Sequence, residues 1–371
     1  MQQILLETTD LEAELVRCKL ESRPIHLLLG NGFSVGYSFD FSYPSLFEIA
    51  QEYLTPRLRE IFAYLGTNNF EGVLKQLRIL QDINQIYLQG SSDCCREVLA
   101  EFARDFDQLK RALVNTVTHI HPPYEQFSVD SFFDSSVDHT LPWVDFFKQF
   151  NSIFTTNYDL LLYWLIIGKK LTSEMSDGFA KSSSIDGRLE WSENAYFRPI
   201  GVYYLHGALH LYRDENGRVL KRTSRSTTRL LEQIKNGIQS KKFPLFVAEG
   251  LAHHKKRQIE GNKYLMHCYR QLSSEISGSL VVFGHALRES DDHILDAICG
   301  NSHLDDIWLG VYDYHGSSAV RKDFALLYER ILEKRFQMHP QKPLRILLYE
   351  TSQKNYWGAY SKEAVFNTTF I

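Results

Sequence analysis

The chain has 371 residues, 44% of them apolar and 13% aromatic, enough for a large core and too rich in rings for a disordered polymer. Its formal net charge of -4 provides no overall basic field to draw nucleic acid or an anionic membrane surface. The cysteines, Cys18, Cys94, Cys95, Cys268 and Cys299, are odd in number and none is spaced Cys-x-x-Cys. That argues against a disulfide framework or a four-cysteine zinc site, and for buried thiols in a reducing, cytoplasmic setting.

Residues 1–24 are charged throughout, lack the apolar core of a signal peptide and read as an N-terminal helix. Ile25–Leu29 then reads as a strand. It is almost wholly apolar rather than alternating, as a sheet covered on both faces requires. It runs into Gly30-Asn31-Gly32-Phe33-Ser34. A glycine turn between a strand and a helix exposes backbone N–H groups that can cradle a pyrophosphate. A turn with no ligand reads equally well, because the third glycine of the usual dinucleotide fingerprint is out of place, Gly36 standing too early. Helical patterns over Leu46–Leu54, Phe70–Leu80, Cys94–His119 and Leu141–Phe150 make residues 46–150 a helical insertion or lid.

A second buried strand, Ser152–Thr155, leads into Thr155-Thr156-Asn157-Tyr158-Asp159. Polar residues at the carboxyl end of a buried strand stand where open α/β sheets bind ligands. Asn157 is the candidate contact, with capping of the next helix the competing role, above all for Asp159. The apolar run Leu160–Ile167 that follows is too short to cross a bilayer and reads as a buried helix. Thr172–Pro199 reads as a long surface loop. Strand Val202–Leu205 ends in His206-Gly207. A histidine there is suited to act as a base or to bond a sugar hydroxyl, a structural histidine being the competing reading, and His210 is a weaker candidate. The basic segment Arg213–Lys242, with Lys255-Lys256-Arg257 beyond it, reads as a hairpin, a helix and a solvated, charge-balanced face rather than a nucleic-acid surface. Further strands are expected at Leu245–Val247, Leu280–Phe283, Ile307–Tyr312 and Arg345–Tyr349, and helices at Asp292–Cys299 and Val320–Arg335. After Phe283, Gly284 leaves room for a nucleotide against the backbone, and His285 and Ser290 are placed to bond it. Asp291 or Asp292 would cap the helix from His293, a ligand role for Asp291 reading equally well. Strands alternating with helices define an α/β fold: a doubly wound, mainly parallel Rossmann-like sheet formed by residues 25–45 and 151–371, with the helical insertion after its first strand.

In order, Gly30-Asn31-Gly32-Phe33-Ser34, Thr155-Thr156-Asn157-Tyr158-Asp159, His206-Gly207 and Gly284-His285-Ala286-Leu287 resemble the sirtuin-like superfamily, with its Gly-x-Gly-x-Ser loop, Thr-x-Asn-x-Asp segment, His-Gly strand end and late glycine loop. Tyr43–Phe47, Phe246–Gly250 with Lys255 and Lys256, Asn262–Cys268 and Phe283–Asp291 are similar to one bacterial branch of it, so that the resemblance covers residues 25–300. The chain departs from sirtuin deacetylases in lacking both Cys-x-x-Cys pairs and the hydrophobic loop that grips an acyl-lysine. The resemblance therefore points to the zinc-less NADases that deplete NAD in anti-phage defence. It implies NAD as substrate and no metal. Gly30, Asn31, Gly32, Phe33, Ser34, Thr155, Thr156, Gly284, His285 and Ser290 would hold the nucleotide. Asn157 would orient water or ribose, Asp159 the nicotinamide ribose, and His206 would serve as general base. Glu48 and Glu52 stand at the spacing of a ribose-binding acid. The implied partners are further copies of the chain and a ring-shaped translocase ATPase, with no membrane and no direct nucleic-acid contact; Leu11–Leu20 and Tyr356–Ile371 are candidate contact segments. A non-catalytic sensor of NAD or ADP-ribose, a scaffold subunit beside a nucleic-acid-acting ATPase, and ADP-ribosyl transfer to a protein are the competing functions.

Overall fold

The computed structural model describes residues 8–87, 93–124, 142–182, 188–193, 199–223, 229–240, 242–248, 250–352 and 357. Its centre is a parallel sheet of seven strands: β1 (Ile25–Leu29), β2 (Ser152–Thr155), β3 (Met175–Ser176), β6 (Ile200–Tyr204), β10 (Gly278–Phe283), β11 (Leu304–Val311) and β12 (Arg345–Glu350), in the order β12-β11-β10-β1-β2-β6-β3. Every residue of β1, β2, β6 and β10 is buried. That is the physical content of their continuous apolar sequences: each fully buried Leu or Val of such a strand contributes about 1.5–3 kcal/mol.

The register levels the strand ends. Leu29 pairs with Phe283 on one side and Thr155 on the other, and Thr155 pairs with Tyr204. The next residues, Gly30, Gly284, Thr156 and Leu205, therefore emerge side by side. The chain leaves β1 toward β2 and leaves β10 toward β11, in opposite directions. The crevice between the ends of β1 and β10 is thus the topological switch point of the sheet, the usual ligand position in doubly wound folds.

The five remaining strands, β4 (Phe179–Lys181), β5 (Leu189–Trp191), β7 (Gly207–Arg213), β8 (Val219–Lys221) and β9 (Pro244–Phe246), form an antiparallel sheet in the order β4-β5-β8-β7-β9. This corrects two sequence expectations. The stretch expected as a surface loop, Thr172–Pro199, supplies β3, β4 and β5, and the apolar run Leu245–Val247 belongs to this second sheet as β9 rather than to the parallel one. Three-residue strands are too short to display a period.

Helix α1 (Leu11–Leu20) is capped by Asp10, whose carboxylate accepts the Glu12 N–H. Between β1 and β2 lie α2 (Asn31–Tyr37), α3 (Tyr43–Ala50), α4 (Pro56–Leu65), α5 (Phe70–Tyr87), α6 (Asp93–Ile120) and α7 (Pro142–Phe147); α5 packs along α6. Then follow α8 (Leu161–Gly168), α9 (Leu230–Gln239), α10 (Ala252–Glu260), α11 (Lys263–Arg270), α12 (Asp292–Gly300) and α13 (Ser318–Met338). Among the described residues no helix is long and apolar enough to cross a membrane. Of the proposed contact segments, Leu11–Leu20 is α1, and Tyr356–Ile371 lies outside the described residues except for Trp357. The basic middle segment is drawn partly inward: Arg222 and Lys255 are buried, Arg218 pairs with Asp214, and Lys221 with Asp177.

Candidate functional site

Two linked clusters form at the level strand ends. The first is the glycine loop with the Thr-Thr-Asn-Tyr-Asp segment. The Gly30 N–H donates to Phe283 O at 2.9 Å and the Gly32 N–H to Gly284 O at 2.8 Å. A Cβ at Gly32 would stand 2.6 Å from Gly284 Cα, and Gly284 itself has φ +65°. The glycines therefore have a demonstrable structural role, which is to let the β1 and β10 loops touch backbone to backbone. Two of the N–H groups expected to face a pyrophosphate are engaged in that contact.

Asn157 fastens the same loop from the β2 side. Its Nδ2 donates to Gly30 O at 3.0 Å and to Ser34 Oγ at 2.9 Å. Ser34, fully buried, donates to Asp159 Oδ2 at 2.5 Å, and the Leu161 N–H donates to Asp159 Oδ1 at 2.8 Å. Burial pushes the Asp159 carboxyl above its ordinary range, against those two bonds. One Asp159 oxygen thus secures the start of α8, the backbone role weighed from sequence, and the other reaches the glycine loop. Thr155 Oγ1 accepts the Asn157 N–H at 3.0 Å, and the Thr156 N–H donates to Leu29 O at 3.1 Å. Asn31 Nδ2 donates to Phe41 O at 3.3 Å. The Phe33 ring is buried against Trp143 and Trp357, with centroids 4.9 Å away in both cases, and the Trp357 indole N–H donates to Phe33 O at 2.8 Å. Phe33 and Ser34 therefore shape the loop from beneath.

The second cluster lies where β6 and β10 end. His206 is buried, and its Nε2 is 2.8 Å from Nε2 of His293, on α12. At that separation one nitrogen carries the proton and the other accepts it. Burial, helped by the Lys255 charge and opposed by Asp291, keeps both rings neutral: His206 is held well below its ordinary value and His293 is lowered to about 3. Beside them Lys255, from α10, is wholly buried and places Nζ 2.8 Å from both Glu71 Oε2 of α5 and Asp291 Oδ1. Burial opposes its charge, but the two carboxylates outweigh that and raise its pKa. Asp291, despite burial, is held far below the carboxylate range by Lys255. The expectation that Asp291 caps the helix gives way here. Asp291 occupies the cap position of α12 but makes no capping bond, because its carboxylate turns to Lys255. Asp292 is taken by Arg330. His285 Nδ1 accepts the Leu287 N–H at 3.0 Å, in a loop where Leu287 adopts φ +45°. That is a conformation a branched side chain rarely takes, and strain of this kind concentrates at ligand sites. Ser290 is half-buried in the turn Glu289–Asp291, and Glu48 and Glu52 are exposed.

Sequence reasoning missed Tyr43, Glu71, Lys255 and His293 as site residues. Tyr43, the first residue of α3, has its phenol pushed well above the ordinary value by Glu71 and by burial, with Tyr158 and Asp291 also acting on it. The insertion thus contributes Glu71 to the wall, and the core segment just before it contributes Tyr43. The signal for His293 was present. It shares the stripe of α12 that buries Ile294, Ala297 and Ile298, and a histidine on an apolar stripe needs a partner. Lys255 lies one turn from the buried Ile259, which a run of three basic residues disguises.

Parallel strands with level ends, helices on their connections and polar residues gathered at the switch point define a Rossmann-like, doubly wound α/β protein. The chain belongs to the DUF4917 family, a domain of unknown function, whose model matches residues 27–350. A comparison with curated proteins finds no match.

Proposed function

We propose that the protein is a NAD glycohydrolase. The observation that carries this reading is the convergence of four separate segments, the Gly30 loop, Asn157, His206 and Gly284-His285, on the level carboxyl ends of four adjacent strands. They stand about the switch point where doubly wound sheets hold nucleotides. They are also the four segments in which the sequence resembles sirtuin-like NAD-consuming proteins.

In the reaction the bond between C1′ of the ribose and N1 of nicotinamide breaks. Its electron pair passes to the pyridinium nitrogen and neutralises it. A water oxygen bonds to C1′, and the water's proton goes to a base, giving ADP-ribose, nicotinamide and a proton. The leaving group is already cationic, so the protein has chiefly to hold the dinucleotide, exclude bulk water and position the attacking one. A neutral imidazole is an acceptor, and burial keeps the His206–His293 pair neutral. His206 is the base in this reading. Asn157 sets the loop that orients the ribose, and Ser34 with Asp159 holds Asn157.

The test is nicotinamide and ADP-ribose release by purified wild type and by His206→Ala, with NAD binding followed by calorimetry. Release that vanishes in a folded His206→Ala variant supports the reading. NAD bound without release makes the protein a sensor, and neither binding nor release removes NAD from the account.

A further inference from the structure

We propose that His206, Asp291 and His293 form a buried binding site for one divalent ion of the zinc class. Each residue offers a ligand atom, and the three atoms lie within 4.8 Å of one another. They come from separate places in the fold: the connection just past the β6 end, the turn before α12, and α12 itself. Imidazole nitrogen with a carboxylate oxygen is a donor set suited to zinc, and three protein ligands leave a fourth position for water or another group.

The geometry is close to what the ion needs. A tetrahedral ion with metal–nitrogen bonds of about 2.0–2.1 Å sets its nitrogens roughly 3.3 Å apart. The two Nε2 atoms stand at 2.8 Å, so an opening of about 0.5 Å by two side chains admits the ion. They now share one proton, which the ion would displace. The charge balance also favours a cation. Glu71 and Asp291 both face Lys255, two carboxylates on one ammonium. Lys255 bonds Oδ1 of Asp291, and a carboxylate has a second oxygen to offer.

This inference stands apart from the NAD reading, since uptake of the ion is measured directly. Were both true, the ion would engage the lone pair that His206 needs as a base.

The experiment uses the full chain, stripped with a chelator and titrated calorimetrically with Zn²⁺. Wild type is expected to bind one Zn²⁺ per chain, with binding weakened at least about 100-fold in His293→Ala and about 10-fold or more in Asp291→Asn. His253→Ala, altering an exposed histidine tilted against its neighbour, should bind as wild type does. No stoichiometric uptake by wild type, or uptake that survives His293→Ala and is lost in His253→Ala, overturns the proposal. X-ray absorption on the wild-type zinc complex covers the case in which His293→Ala does not fold. Two imidazoles in the coordination shell support the site, and fewer than two overturn it.

Discussion

His206 stands two residues past the end of β6 in the parallel sheet, and four residues later His210 lies inside β7 of the antiparallel sheet. Both are buried and both are held well below the ordinary histidine value, chiefly by burial. Their surroundings differ in kind. His206 meets another imidazole, beyond which lie a lysine and two carboxylates. His210 stacks on Tyr163 at 4.5 Å, meets the edge of Tyr204 at 5.1 Å, and has no hydrogen-bond partner on either ring nitrogen. The strand ends collect polar groups that answer one another, whereas the second sheet's interior tolerates polar atoms in an aromatic packing. Burial and a shifted pKa alone do not mark a functional histidine; the partners do.

The sharpest way to break this contrast is kinetic. His206→Ala should lower NAD hydrolysis by about 10²–10⁴-fold, the usual worth of a general base, while His210→Ala should leave the rate per folded molecule near wild type. Equal losses of nicotinamide release in the two variants would erase the distinction. Lys255→Met comes next. It leaves Glu71 and Asp291 facing each other without their cation and should cost about 3–5 kcal/mol in urea unfolding.

Acidification follows. Burial lowers His26 to about 4 and His121 to about 3, and His210 lies well below its ordinary value. The unfolded chain titrates these residues near 6.5. It therefore binds more protons than the folded chain between those limits, so stability falls as pH drops through 6.5. Between pH 7 and pH 5.5 the loss should reach about 1 kcal/mol for each of these histidines, and urea midpoints at the two pH values measure it. Gly284→Ala should cost about 1–3 kcal/mol by crowding Gly32. Gly66→Ala, at φ +59° with nothing within 4 Å, should cost only about 1 kcal/mol, from backbone strain alone. Smallest is His210→Phe. Replacing unpartnered ring nitrogens with carbon in an aromatic setting should be neutral or stabilise by up to about 1 kcal/mol, read as a small rise in melting temperature.

The same contrast governs what could be read in advance. Apolar runs delivered β1 and β2 with their bounds intact, and β6, β10, β11 and β12 within a few residues. A strand buried on both faces must be continuously apolar, and the sequence shows it. Of the antiparallel sheet only the β9 run and a hairpin near Arg213–Lys242 could be read, because four of its strands have only three residues each, and its long member, β7, begins with a glycine and carries His210 in its middle. Helix α2 was equally hidden: Gly32 and Gly36 depress its propensity, and it is held by tertiary contacts of Phe33 with Trp143 and Trp357. Within the site, strand-end motifs could be named because they are contiguous. The Glu71–Lys255–Asp291 linkage joins residues far apart in the chain, and no local pattern announces it.

The pairing of β1 with β10 has a consequence for how the molecule comes into being. The Gly30 and Gly284 loops that close on each other are about 250 residues apart in the chain, one of the most non-local contacts of the fold, and such contacts form late and slowly. During synthesis β1 emerges about 250 residues ahead of its β10 neighbour and waits for it. Until then one edge of β1 is unpaired and the crevice beside it does not exist. Neither the proposed nucleotide pocket nor the proposed ion site can be populated before β10 has been made, so any activity housed there is withheld until that strand pairs with β1.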